Sequence, residues 1–163
     1  LPFFSAPGNM MLRPAAAGAD GLVMFNRFLQ PDIDIETLGV ESGVWLSNKV
    51  EQRTALTWIA AISKQVDASI AATSGVATPE DAIKYILAGA DVVMSTSALV
   101  RNGADYATEI IDGLSSYLER KQLDLEQARG LLAVPDDASA AEYERNGYVS
   151  ALEKAKTTYG SLR

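Results

Sequence analysis

The sequence predicts an α/β fold assembled from the βα units of a (β/α)8 barrel, and three observations point there. Residues 68–100 place two short apolar strands, each ending in a small-residue turn that opens a helix, within about thirty residues, the length of one βαβ unit. The device Ala17-Gly18-Ala19-Asp20 before one apolar segment returns as Ala88-Gly89-Ala90-Asp91 before another, a repeat of helix stop and strand start. The run Leu22-Val23-Met24-Phe25 is continuously apolar, the pattern of a parallel strand buried on both faces.

In chain order, residues 8–18 read as a helix that Pro14 kinks or divides, because its ring removes an interior hydrogen bond. Gly18 and Gly89 would each supply the left-handed residue that ends a helix. Gly21 to Asn26 is a strand. Residues 27–50 form a long connection of the kind that usually serves as a lid or binding loop; within it Ile33 to Leu38 and Gly43 to Ser47 are expected to pair as a small ribbon. A helix over 51–66 turns Leu56, Ile59, Ile62 and Val66 inward, with Trp58 read as helix packing. Ala68 to Ala72 is the next strand.

Thr78-Pro79-Glu80-Asp81 then reads as a cap, a proline at the first helical position and acids in the first turn. The helix keeps Ile83, Ile86 and Leu87 on one face and stops at Gly89. Asp91 to Met94 forms a further strand. Helices follow at 104–121, at a short segment ending at Gly130 and at 138–158, with Asp124 paired to Gln127, and Asp137, as caps.

Composition narrows the function. The chain has 163 residues, 48% of them apolar, enough for a sizeable core. No run of eighteen apolar residues occurs, so no membrane span is expected, and a cytoplasmic location is the working expectation. The absence of cysteine excludes disulfides and thiolate metal sites; the absence of histidine removes the commonest general base and the commonest zinc ligand. With 14 basic and 21 acidic residues the formal charge is −7, the wrong sign for a nucleic-acid footprint. Any phosphate recognition would then rest on backbone amides. Two turns invite it: Ser74-Gly75-Val76 and Ser95-Thr96-Ser97, each at the carboxyl end of a strand and ahead of a helix, the arrangement of the phosphate site after strands seven and eight of a (β/α)8 barrel.

Leu1-Pro2-Phe3-Phe4-Ser5 reads as the end of a strand and its turn. A closed barrel needs about 250 residues, so a carboxyl-terminal portion of a longer protein is expected. The domain reading is one partial barrel over 1–163, with a substrate-side loop at 27–50 and a helical extension at 133–163. A three-stranded piece with two open edges is expected to associate, homo-oligomers included.

The string Gly18-Ala19-Asp20-Gly21-Leu22-Val23-Met24-Phe25-Asn26-Arg27-Phe28, followed by Gln30-Pro31-Asp32-Ile33-Asp34, resembles the dihydroorotate dehydrogenase family, in particular its bacterial dihydroorotate dehydrogenase-like members. Leu46-Ser47, Trp58-Ile59-Ala60, Ser74-Gly75-Val76 and Ala88-Gly89-Ala90-Asp91-Val92-Val93-Met94 extend the resemblance. It implies an FMN-binding (β/α)8 barrel, of which this chain would be strands six to eight with their helices.

The resemblance also implies roles. Asn26 stands where the family's sixth strand ends in an asparagine that contacts the pyrimidine substrate beside the flavin; an amide offers both donors and an acceptor, although an asparagine at a strand end also bonds its own backbone. Arg27 replaces a small hydroxyl residue and would either clamp a carboxylate or stand solvated. Ser74 and Gly75 match a Gly-Gly pair, so that Gly75, with Val76, would let the backbone approach the FMN phosphate. Thr96 and Ser97 match the pair whose N–H groups hold the same phosphate.

In the family, FMN takes a hydride from dihydroorotate while a serine or cysteine on an earlier loop removes a proton, and a lysine on the fifth strand contacts the flavin. Those catalytic groups would lie upstream of Leu1. The expected partners are accordingly a small-molecule substrate of pyrimidine biosynthesis or a similar one, and the missing N-terminal part of the barrel. Another phosphate-binding barrel enzyme, or a non-catalytic barrel fragment, is the alternative reading of the same turns.

Overall fold

In the computed structural model, which describes residues 4–27, 31–43, 45–135, 149–150 and 154, proline and glycine set the first boundaries. Helix α1 (Pro7–Ala16) begins on a proline and continues through Pro14, ending at Ala17. It is not divided: Pro14 lies in its last turn, where Ala17 N–H still reaches the carbonyl of Arg13. Gly18 then takes a left-handed φ of +98° and directs the chain into β1 (Gly21–Met24), two residues shorter than expected.

The ribbon forms with a different partner segment. β2 (Asp32–Asp34) pairs antiparallel with β3 (Gly39–Glu41), not with 43–47. The Asp34 carboxylate accepts the N–H groups of Glu36 and Thr37, and Leu38 takes a φ of +54°, so the chain reverses at once.

Helix α2 (Lys49–Ile62) starts and ends earlier than the apolar pattern indicates, because a capping box fixes its start. Asn48 Oδ1 accepts Val50 N–H at 2.9 Å and Glu51 returns a carboxylate to Asn48 N–H at 2.7 Å. Ile59 and Ile62 are buried as expected, but Leu56 is only half-buried and Val66 lies past the helix. Trp58 reaches back towards Gly8 of α1, which fits helix packing.

Strand β4 (Ser69–Ala72) leads through the Ser74 turn to α3 (Pro79–Ala88), which Gly89 ends at φ +110°, the counterpart of Gly18. β5 (Val92–Val93), α4 (Ser97–Asn102), α5 (Tyr106–Lys121) and α6 (Leu125–Ala128) follow, the last with the expected Asp124–Gln127 capping box. The chain divides into two compact units, Leu1–Ala133 and Val134–Arg163. Of the helix expected over 138–158, Val149, Ser150 and Lys154 are helical; the rest, and Asp137, lie outside the described residues. Among the described residues no helix is long and apolar enough to cross a membrane.

The main sheet is parallel, in the order β1–β4–β5. Met24, Ala72 and Val93 lie side by side in register, so the three chains leave the sheet at one level. Met24, Ile70 and Ala72 are buried on one face, with Ile59, Ile62, Tyr85 and Ile86 of α2 and α3 also in the core. The row Val23, Ala71, Val92 lies on the other face, where Val23 remains 61% exposed. The expectation of a strand buried on both faces is therefore corrected: among the described residues helices cover one face only.

Asp81 joins the starts of α2 and α3. Its carboxylate is fully buried and accepts Ala77 N–H, Thr78 N–H and the Thr78 hydroxyl at 3.1–3.2 Å, with Lys84 Nζ at 3.2 Å and Lys49 Nζ of α2 at 3.7 Å. Its own carbonyl receives the amide of buried Gln52 at 2.7 Å. Burial by itself raises the carboxyl pKa, but the Ala77 N–H, Lys84, Lys49 and Thr78 together outweigh it and hold the group below the usual carboxylate range.

A depressed folded pKa contributes stability that is present above the unfolded value, near 3.8, and is lost as pH falls through the folded one. Asp81→Asn should lower stability at neutral pH by about 1–2 kcal/mol and flatten the acid limb of stability against pH. Urea unfolding across that limb measures both, and an unchanged slope would refute the assignment.

Gly75 gives a second test. It takes φ +72°, and a Cβ there would sit 2.8 Å from Asn48 O and from Gln52 N of the first turn of α2. Gly103 takes φ +89° with nothing within 4 Å of the corresponding position. Gly103→Ala should therefore cost about 1 kcal/mol, the conformational term alone, whereas Gly75→Ala should cost at least about 2 kcal/mol. Equal unfolding midpoints for the two variants would contradict this.

Candidate functional site

Three strand ends at one level create the cleft. Phe25-Asn26-Arg27 after β1, Thr73 to Val76 after β4, Met94 to Ser97 after β5 and Trp45 to Ser47 ahead of α2 line a cavity of about 240 Å³. All seven residues singled out in the sequence, Asn26, Arg27, Ser74, Gly75, Val76, Thr96 and Ser97, border it.

Hydroxyls hold the carbonyls of the turn after β4. Tyr85, buried in α3, places its OH 3.0 Å from Thr73 O and 2.8 Å from Ser74 O, sharing one proton between them. Burial, reinforced by the Asp81 charge, pushes the Tyr85 phenol well up, so it stays a donor. Ser95 donates to Val76 O at 3.0 Å and Tyr106 to Ala77 O at 3.1 Å. Ser74 has φ +82°, a left-handed position where glycine is the easy choice, and its hydroxyl donates to Phe25 O at 2.9 Å. Among the described residues the N–H groups of Ser74, Gly75 and Val76, and those of Ser95, Thr96 and Ser97, have no protein acceptor. Two adjacent stretches of unpaired amides bordering one cavity are a donor set suited to an anion.

The structure gives several of these residues packing or hydrogen-bond partners. Gly75 is required by the close approach of α2, whose first turn fills the space a side chain would take. Arg27, its side chain 25% exposed, donates from Nε to Glu51 Oε1 at 2.7 Å, while the other Glu51 oxygen caps α2 through Asn48 N–H. The Ser97 hydroxyl accepts Ser47 N–H at 2.9 Å and lies 2.9 Å from Ser47 Oγ, and Arg101 donates to Ser47 O at 3.0 Å, so this side chain anchors the loop entering α2. Asn26 is exposed in the cleft, and among the described residues its amide has no hydrogen-bond partner.

Sequence reasoning did not single out Tyr85, Tyr106, Ser47 or Glu51. Glu51, three residues after Asn48, was the one with a local signal, since that spacing is a capping box. Among the described residues the cavity lining holds no carboxylate, thiol or imidazole. Its hydroxyls, amides, one guanidinium and the apolar faces of Trp45, Val76 and Met94 suit binding and orienting a ligand rather than moving its protons.

Known proteins agree with this architecture. The family model for dihydroorotate dehydrogenase matches residues 9–118. The chain is 35% identical over 123 residues to the dihydroorotate dehydrogenase B (NAD(+)) catalytic subunit of Sulfolobus acidocaldarius, an alignment covering 73% of this chain and 42% of that protein. It is 34% identical over 122 residues to the corresponding subunit of Petrotoga mobilis, covering 71% and 40%. The chain thus spans about two-fifths of the length of the curated relatives it matches. Among solved structures, the dihydroorotate dehydrogenase of Eimeria tenella in complex with ferulenol superposes with a TM-score of 0.66 at 23% identity, over 82% of this chain and 37% of that one, which establishes a shared fold. With 110 consecutive residues matched by the family model and an α/β architecture common to these (β/α)8-barrel enzymes, the chain belongs to the dihydroorotate dehydrogenase family.

Proposed function

We propose that this chain is the phosphate-binding side of an FMN-dependent oxidoreductase of the dihydroorotate dehydrogenase type, contributing strands six to eight of its barrel. The observation that carries the reading is the pair of adjacent turns, after β4 and β5, whose unpaired amides border the same cavity as Asn26. Backbone donors recognise a phosphate without any cationic side chain, which suits a chain of net charge −7. The exposed row Val23, Val92 and Met94 and the single-sided pairing of β1 and β5 support a barrel completed by further strands.

In this assignment the N–H groups of Gly75, Val76, Thr96 and Ser97 hold the FMN phosphate. Bound FMN supplies the acceptor for a hydride from the substrate's CH–CH bond. Asn26 reads the polar edge of an orotate-like ring through its amide and orients that ring. Arg27 fixes the end of β1 against α2 through Glu51, which keeps Asn26 at the cleft mouth. Trp45 and Met94 provide apolar walls that exclude water from the reacting face. The proton-abstracting serine or cysteine and the flavin-contacting lysine belong to the remainder of the barrel.

The intact protein carrying this sequence should bind FMN, and titration of FMN fluorescence measures that. Asn26→Ala should retain the flavin yet slow its bleaching by dihydroorotate, with a loss on the order of 1–3 kcal/mol in the reductive step. Wild-type reduction by the variant, seen in stopped flow, would remove Asn26 from substrate binding. A flavin that dihydroorotate does not bleach in either protein would make the substrate a different one, and failure to bind FMN would end the flavin reading.

A further inference from the structure

The turn after β4 holds a left-handed serine where glycine would carry no penalty, so something outside the turn must stabilise it. Ser74 sits at φ +82° and Gly75 at φ +72°, two consecutive residues in a region that L side chains avoid. The Tyr85 hydroxyl lies within hydrogen-bond distance of the carbonyls of Thr73 and Ser74, at 3.0 and 2.8 Å. In a trans peptide the C=O and the following N–H point in opposite directions. A phenol that draws the Thr73 and Ser74 carbonyls towards α3 therefore turns the N–H groups of Ser74 and Gly75 to the side away from α3.

We propose that Tyr85 is a positioning residue for anion recognition: by holding two successive carbonyls, it sets the peptide planes that carry the Ser74 and Gly75 N–H groups, the second of which binds the phosphate of the cofactor. The inference rests on the phosphate reading given above and adds to it a residue that touches neither substrate nor cofactor. Several features make the role specific to the hydroxyl. The ring is fully buried and packs whether or not it carries oxygen. Its register is fixed, because Asp81, one helical turn earlier, caps α3 through Thr78. Ser95 meanwhile holds the carbonyl of Val76 from the neighbouring turn, so the Val76–Ala77 plane beyond Gly75 has an anchor of its own.

The test separates phosphate recognition from general folding by comparing FMN with riboflavin, which has the same ring system and no phosphate. In the intact protein carrying this sequence, wild type should bind FMN more tightly than riboflavin. Tyr85→Phe should lose about tenfold in FMN affinity, the effect of releasing two carbonyl contacts, with riboflavin affinity unchanged. Thermal unfolding of Tyr85→Phe accompanies the titrations.

Where Tyr85→Phe does not fold, Ser74→Gly/Tyr85→Phe is compared with Ser74→Gly, since glycine at this φ removes the strain that the lost contacts would otherwise have to offset. The double variant should again lose FMN affinity without losing riboflavin affinity. Tyr85 variants that fold and keep the wild-type preference for FMN over riboflavin would overturn the role of Tyr85 while leaving the phosphate site intact. A wild-type protein with no such preference would overturn the phosphate reading itself, and this inference with it.

Discussion

A single carboxylate without solvent contact organises the region that frames the cleft. Asp81 takes the N–H groups of Ala77 and Thr78 at the start of α3, while Lys49 approaches from α2 and the amide of Gln52 reaches the Asp81 carbonyl. Buried carboxylates are costly unless their oxygens are satisfied, and here both are. The consequence reaches further than the two helices. Once α3 starts at Thr78, Tyr85 falls one turn after Asp81 and meets the carbonyls of Thr73 and Ser74. Once α2 starts at Asn48, its first turn meets Gly75 at a distance that no side chain tolerates. The shape of the turn after β4 is thus determined by partners on both sides.

What the sequence reveals and what it hides divide along chain separation. Gly18 and Gly89, Pro79 with Thr78, and Asp124 with Gln127 act through neighbours a few residues away, and each was legible as a stop or a cap. The Asn48–Glu51 box was equally local; missing it displaced the start of α2 by two residues. The ribbon erred for a related reason, since the Asp34 carboxylate closes a shorter turn than the spacing of apolar residues indicated. The site residues were found through resemblance and small-residue turns, and the structure gathers them at one cavity. Their partners were not legible. Arg27 with Glu51, Ser47 with Ser97 and Tyr106 with Ala77 are 24, 50 and 29 residues apart, and no pattern within one segment reports which distant group will meet which.

The two faces of the sheet explain why apolar content alone misled the reading of β1. A run such as Leu22-Val23-Met24-Phe25 requires cover on both sides, yet the described residues bring helices to one side only, leaving Val23, Val92 and Met94 exposed. The hydrophobic driving force for covering that second face remains available to any apolar surface that packs against it. The relatives are longer than this chain, which spans about two-fifths of their length, and in a closed barrel the same row would face the interior layers of side chains.

Charge and chemistry at the cleft then fit together. A chain with seven more acidic than basic residues would repel a free anion at long range, and screening limits that repulsion to about 10 Å in ordinary salt. At short range the lining contains, among the described residues, no carboxylate and one guanidinium, whose Nε is paired with Glu51. On the proposed reading, recognition falls to peptide dipoles, whose strength depends on orientation rather than on net charge. Orientation of the Ser74 and Gly75 N–H groups in turn follows the carbonyls of Thr73 and Ser74, which Tyr85 holds, while Ser95 and Tyr106 hold the Val76–Ala77 and Ala77–Thr78 planes, whose N–H groups go to Asp81. On the proposed reading, an anion site of this kind needs no buried cation and leaves the surface free to stay acidic, while the direction of its amides depends on the Tyr85 hydroxyl behind the turn.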